Sequence, residues 1–261
     1  MKFSKKEYLK IIEYDKPVKA DLNTLTGLHK SHLFHIPFEN LSIHSGQKIL
    51  LEKDSLSNKI LNYRRGGYCY ELNGMFYFLL KETGFKVKMI SARVNNGKGG
   101  WGDEFDHLAM IVSLNDEWLV DVGFGDNFIE PKKFELETVQ KDPNGFYKIT
   151  KYNENYFELL RSSDGLKFSG EYIFTLKERK WKEFEGMNTY HQTSPDSHFT
   201  KNKICTIATD KGRITLSGSK IKITENGLKK EIGLNNEKEF EDKLFQIFKI
   251  KLPDTRQDNM I

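Results

Sequence analysis

The spacing of apolar residues divides this chain into a helical first third, a strand-rich middle and a mixed end. Ser4-Lys5-Lys6-Glu7 reads as a capping box, followed by apolar Tyr8, Leu9, Ile11 and Ile12. Pro17 ends that helix. Leu22, Leu25, Leu28, His32 and Leu33 make a second segment that stops before Ile36-Pro37, and Leu56, Ile60 and Leu61 suggest a short third. The clearest helix carries Leu72, Met75, Phe76, Leu79 and Leu80, an i, i+3, i+4, i+7, i+8 stripe with one buried face. Gly84 stops it.

After Gly84 the period becomes strand-like. Lys86 to Val94 reads as a strand, and residues 95–102 as a glycine-rich connection. His107 to Leu114 and Trp118 to Phe124 read as a hairpin joined by Asn115-Asp116-Glu117. Further strands are expected at Gly145 to Tyr152, Tyr156 to Leu160 and Gly170 to Leu176, separated by Asp/Asn/Gly turns. The segment Lys177 to Lys182 reads as a solvated strand edge or loop, and Asn188 to Lys203 as a polar stretch. A hairpin at Ile204 to Thr209 and Arg213 to Ser217 follows, then a helix from Asn236 with Phe240, Leu244, Ile247 and Phe248 on one side. Helices, then strands, then a mixed unit predict an α+β protein in three regions.

Composition narrows the class. The 261 residues are 38% hydrophobic and 30% charged, the balance of a globular protein with a real core. No stretch approaches the length of a membrane span, and the charged start MKFSKKEYLKIIEYD lacks a signal-peptide core, so a cytoplasmic location is expected. A net charge of +4 does not call for nucleic acid. Two cysteines, Cys69 and Cys205, make neither a disulfide framework nor a zinc site. His29, His32 and His35 do not match zinc spacing, so no metal is expected.

The candidate chemistry starts at Arg64-Arg65-Gly66-Gly67-Tyr68-Cys69-Tyr70-Glu71-Leu72-Asn73. Cys69 follows a Gly-Gly turn and opens the amphipathic helix, where free backbone N–H groups and the helix dipole favour a thiolate. A cysteine nucleophile needs a base and a group to orient it. His107 begins the hairpin's first strand, and Asp121 is a carboxylate inside its apolar second strand, costly unless partnered. If 114 pairs with 118 and 111 with 121, then 107 and 121 share a face but lie about 13 Å apart along a flat ladder. Contact then requires a bulge, strong twist or another register. The competing readings are a small buried hydrophobe for Cys69, a structural strand histidine, and an aspartate that satisfies backbone groups near a turn. Cys205, in an alternating strand, reads as core.

RRGGYCYELN, DHLAMIV and LVDVGFG resemble the arylamine N-acetyltransferases, as do HIPFENLSIHSG (35–46), NTYHQTSPDSHF (188–199) and ICTIATDKGRITLSG (204–218). Absence of the vertebrate members' long insertion points to the bacterial type. The resemblance implies a helical bundle over 1–84 carrying the nucleophile, a central antiparallel β-barrel over 85–187 carrying histidine and aspartate, and an α/β lid over 188–261. It implies a papain- or transglutaminase-like core in which Cys69, His107 and Asp121 are catalytic. Ping-pong transfer of acetyl from acetyl-CoA, a co-substrate and not a tightly bound cofactor, to an aromatic amine or hydrazine is expected. Phe38 and Phe124 match the apolar amine pocket, and Gly125 a stretch near the CoA arm. Backbone N–H groups at Tyr70 are candidate oxyanion donors. Asp126 departs from the smaller or uncharged residue many members carry. Partners are then small molecules, with the protein a monomer or homodimer and neither nucleic acid nor membrane involved. A thiol hydrolase or amide synthase using the same three residues, and a non-catalytic CoA- or aromatic-binding protein, are the alternatives.

Overall fold

The computed structural model describes residues 2–252. Helix α1 (Lys5–Ile11) is capped by the Ser4 hydroxyl, which accepts from the Glu7 N–H. Helix α2 (Leu22–His35) is capped in the same way by Asp21 and ends at the residue pair before Pro37. A two-residue strand β1 (Phe38–Glu39) and the short helices α3 (Leu41–His44) and α4 (Lys53–Ser57) lead to α5 (Cys69–Glu82). The apolar stripe of α5 is buried against α1, α2 and one face of the following sheet.

Strands β2 (Lys86–Val94), β3 (His107–Ser113), β4 (Glu117–Val120), β5 (Lys132–Lys133), β6 (Gln140–Asp142), β7 (Gly145–Lys151), β8 (Phe157–Ser162) and β9 (Ser169–Phe174) form one antiparallel sheet, ordered β5-β4-β3-β2-β9-β8-β7-β6. Its two edges nearly meet. The Gln140 side chain bonds both the Lys133 N–H and C=O at 2.8 Å, and Lys132 reaches Asp142 at 2.6 Å. The barrel thus formed is filled by Ile90, Ile111, Phe128, Tyr147, Tyr172 and their neighbours.

Helices α6 (Glu185–Thr193) and α7 (His198–Lys201) occupy the stretch expected to be merely polar. They are too short and too polar to show a helical stripe, and they are anchored by side-chain contacts to distant backbone. The segment expected to be a solvated edge instead holds a turn of helix at Trp181–Phe184. Trp181 stacks on Phe78 and fills the space that a side chain at Gly74 would take.

Strands β10 (Ile204–Thr209), β11 (Gly212–Ser217), β12 (Lys220–Glu225) and β13 (Leu228–Gly233) complete a second sheet, ordered β1-β10-β11-β12-β13, and helix α8 (Glu237–Phe248) packs on it through Phe240, Leu244 and Phe248. Cys205 lies in that core. Strand β1 is therefore an N-terminal residue pair built into the C-terminal sheet, with Phe38 opposite Thr206 and Glu39 opposite Cys205. The same two residues touch the glycine turn, because the Glu39 N–H donates to Gly67 O at 2.9 Å. No helix among the described residues is long and apolar enough to cross a membrane.

Candidate active site

The turn before α5 is fixed by close packing and by buried charge. A Cβ at Gly66 would lie 1.9 Å from Pro37 O, so only glycine fits there. Arg65 pairs with Glu39 at 2.8 Å, and Lys59 with Glu71 at 2.8 Å. Glu71 also accepts from the Tyr68 N–H, tying down one of the free amides at the helix start. Burial pushes the Glu39 carboxyl up, but Lys59 and Arg65 outweigh it and hold it below the usual carboxylate range. Cys69 is thereby held as the first residue of α5, 3% exposed.

His107 and Asp121 meet, although the hairpin differs from expectation. The ladder pairs Ser113 with Glu117 and Met110 with Val120, two residues out of the expected register, because the turn is made by Leu114 to Asp116. The second strand also ends at Val120. In this register residue 121 falls opposite 109, two residues from His107 instead of four, and the chain leaves the ladder there. His107 Nε2 lies 2.8 Å from Asp121 Oδ2. Burial pushes the Asp121 carboxyl up, but His107, the Asn73 amide and the Gly123 N–H outweigh it, so it stays below its usual range.

Asn73, Gly123 and, at 3.4 Å, Asn127 also hold this carboxylate, and His29 holds the Asp121 backbone. Asn73 donates to Asp121 Oδ1 at 2.8 Å and accepts from the Val122 N–H at 2.8 Å. It lies four positions after Cys69, one helical turn along, which sets it beside the nucleophile. Gly123 donates to Oδ1 at 3.0 Å, and a Cβ there would lie 2.8 Å from Cys69 O. His29, whose spacing with His32 and His35 does not fit a zinc site, grips the Asp121 backbone. Its ring is buried, which lowers its pKa to about 4 and keeps it neutral. With Nδ1–H donating to Ile129 O at 2.9 Å, Nε2 is left to accept from the Asp121 N–H at 3.3 Å. Nothing local in the sequence marks His29, since its partners are far along the chain.

Cys69 and His107 open onto one cavity of about 340 Å³. Phe38 from β1, Phe124 beyond β4 and Phe199 from α7 supply aromatic walls, and Asp106 lines it beside His107. Phe124 meets the His107 ring edge-on at 5.2 Å.

The chain's similarities agree with this arrangement. A family model described as N-acetyltransferase matches residues 21–257. Arylamine N-acetyltransferase 2 of Mesocricetus auratus is 33% identical over 258 residues, covering 90% of this chain and 89% of its own. The chain belongs to the arylamine N-acetyltransferase family. Among solved structures, the Mycobacterium smegmatis arylamine N-acetyltransferase superposes with a TM-score of 0.90 at 29% identity, covering 98% of this chain and 95% of that one. The Bacillus cereus arylamine N-acetyltransferase, described as having a Cys-His-Glu catalytic triad, gives 0.87 at 26% identity, covering 97% and 100%. The α+β fold with its barrel is thus the fold of this family.

One feature departs from the local reading of the sequence. Burial pushes the Cys69 thiol up, and Asp106 and Asp121 add to this, while the Leu108 and Tyr70 amides pull the other way. The helix start alone therefore does not make the thiolate. The Tyr70 side chain also turns away from the cavity. Its hydroxyl donates to Phe105 O at 2.7 Å, leaving only its backbone amide near the sulfur. Gly125, at φ +91, packs under the Phe38 ring. Asp126 is engaged by Arg161 and Arg213, so two guanidinium groups share its single charge.

Proposed function

We propose that this family member transfers an acetyl group from acetyl-CoA to aromatic amines or hydrazines through an acetyl-Cys69 intermediate, with His107 as proton carrier and Asp121 as its anchor. The observation that carries this reading is the buried His107–Asp121 hydrogen bond opening, with Cys69, onto an aromatic cavity. Because burial favours the neutral thiol, the thiolate depends on a proton held at His107. Asp121 bonds Nε2 and leaves Nδ1 for that proton, in an imidazolium–thiolate pair.

The sulfur attacks the acetyl carbonyl, the bond from that carbon to CoA sulfur breaks, and the imidazolium gives its proton to the departing CoA thiolate. In the second half the amine nitrogen attacks the same carbon and yields a proton to the imidazole. The bond to Cys69 breaks, and the ion pair is restored. The Tyr70 amide is an oxyanion donor in both halves. Both bonds broken are thioesters, so the first transfer is near balance, and an arylamine is already neutral at pH 7. Phe38 and Phe124 form the amine-side wall, and their apolar surface keeps water from the acetyl-enzyme, while Gly125 lies in the stretch near the CoA arm. Small molecules are the partners, in a cytoplasm where thiols stay reduced.

Intact mass after incubation with acetyl-CoA tests this. One acetyl adduct on the wild type, absent from Cys69→Ala, is expected, and an arylamine should discharge it as the N-acetyl product. No adduct, or an adduct surviving in Cys69→Ala, overturns the reading and favours a hydrolase.

A further inference from the structure

Asp106 stands in the cavity wall with nothing assigned to it. It is the residue before His107, its side chain is 15% exposed, and it is near enough to Cys69 to act on the thiol's charge. Its position is built from three sides. Oδ1 faces His191 Nε2 at 3.2 Å, and Oδ2 accepts from the Val94 N–H at 3.2 Å. Gly102 closes the third side, where a Cβ would lie 2.3 Å from Oδ2. His191 is itself buried, set parallel to Tyr70 and edge-on to Phe199. The carboxylate is therefore held in place in a wall whose other polar groups are Cys69, His107, His198, Ser217 and the Asn40 and Asn202 amides, the rest being aromatic or aliphatic. Neither lysine nor arginine lines the cavity among the described residues.

A fixed negative charge in a small apolar cavity acts on every charged group brought into it, with little water to screen it. We propose that Asp106 is a specificity-determining residue that sets acceptor choice by charge. It disfavours amines bearing an anionic ring substituent and favours those bearing a cation. This rests on the acetyltransferase reading above.

In ping-pong kinetics the kcat/KM of the acceptor reports only the second half-reaction, so effects of Asp106 on the first half cancel. Three probes differ chiefly in charge: 4-aminobenzoate, its methyl ester, and 4-(trimethylammoniomethyl)aniline. In Asp106→Asn, kcat/KM relative to the ester should rise about tenfold for the anion and fall about tenfold for the cation, while any change in Cys69 as leaving group moves all three by a common factor and cancels in these ratios. A merely structural role would leave both ratios unchanged, and that result overturns the proposal.

The wild type supplies a second test should the variant not fold. The ester is the poorer nucleophile, because its carbonyl withdraws more strongly than a carboxylate, yet it should be the better acceptor. Its advantage should shrink as salt rises from about 50 to 500 mM. A salt-independent ratio, or preference for the anion, overturns the proposal. Failure of the wild type to acquire the acetyl adduct is read separately by mass and removes the catalytic reading beneath it.

Discussion

At the scale of single residues, His29 carries a consequence that its distance from the cavity conceals. Its pKa falls from 6.5 to about 4 because the ring is buried, and burial acts on His32 in the same direction. Between these values the unfolded imidazole binds a proton that the folded one refuses. Stability is therefore full above pH 6.5 and is lost as pH falls toward 4, by about 3 kcal/mol for His29. Urea unfolding of wild type and His29→Gln at pH 7, 6 and 5 should show the variant with a shallower pH slope, by about one proton. Parallel slopes would assign the dependence to other groups. Cys69 and Asp121 could be picked from the sequence because each breaks a local pattern, a thiol at a helix start and a carboxylate in an apolar strand, and His107 because it opens the first strand of the hairpin that carries Asp121. His29 breaks none, and Asn73 was visible only as part of a motif. The dipole at the start of α5 is a local feature and readable at Cys69, whereas burial and the nearby Asp106 and Asp121, which push its thiol up, come only from the assembled fold.

Among elements, the turn before α5 shows why glycine stands at 66. Gly66→Ala would drive a Cβ into the Pro37 carbonyl, backbone against backbone, and neither side relaxes easily. The unfolding free energy should drop by about 2 kcal/mol or more, read from the urea midpoint. An unchanged midpoint would mean that the Pro37 strand shifts freely. Elements with strong internal pattern were legible: α2, α5, β2 and the hairpin at β10–β11 lie where the apolar spacing puts them. Two kinds were not. Helices α6 and α7 are too short to carry a stripe. Strands β12 and β13 are rich in Lys, Glu and Thr, and β13 is exposed along its length, so no inner face is written into it. The β3–β4 register was missed because the turn takes Leu114, an apolar residue that reads as strand.

For the whole molecule, the cavity exists only because distant segments converge. Asn40 donates to Phe199 O at 2.9 Å and to Asn202 O at 2.8 Å, latching α7 over the nucleophile. Phe199 rests edge-on against Tyr68 and tilted toward Phe38. Phe199→Ala opens this roof without touching Cys69, His107 or Asp121. Acetylation of Cys69 should persist, while hydrolysis of the acetyl-enzyme without amine should rise about tenfold relative to transfer. Unaltered partition between water and amine would show that α7 does not exclude water.

The β1–β10 pairing has a bearing on synthesis at the ribosome. The residues that wall the cavity from above are translated long after the sulfur they cover, and Phe38 has no partner strand until Thr206 has left the exit tunnel. A nascent chain thus carries an unshielded thiol while its protective cover is still being made, and no polypeptide arrested in between can hold an acyl group away from water.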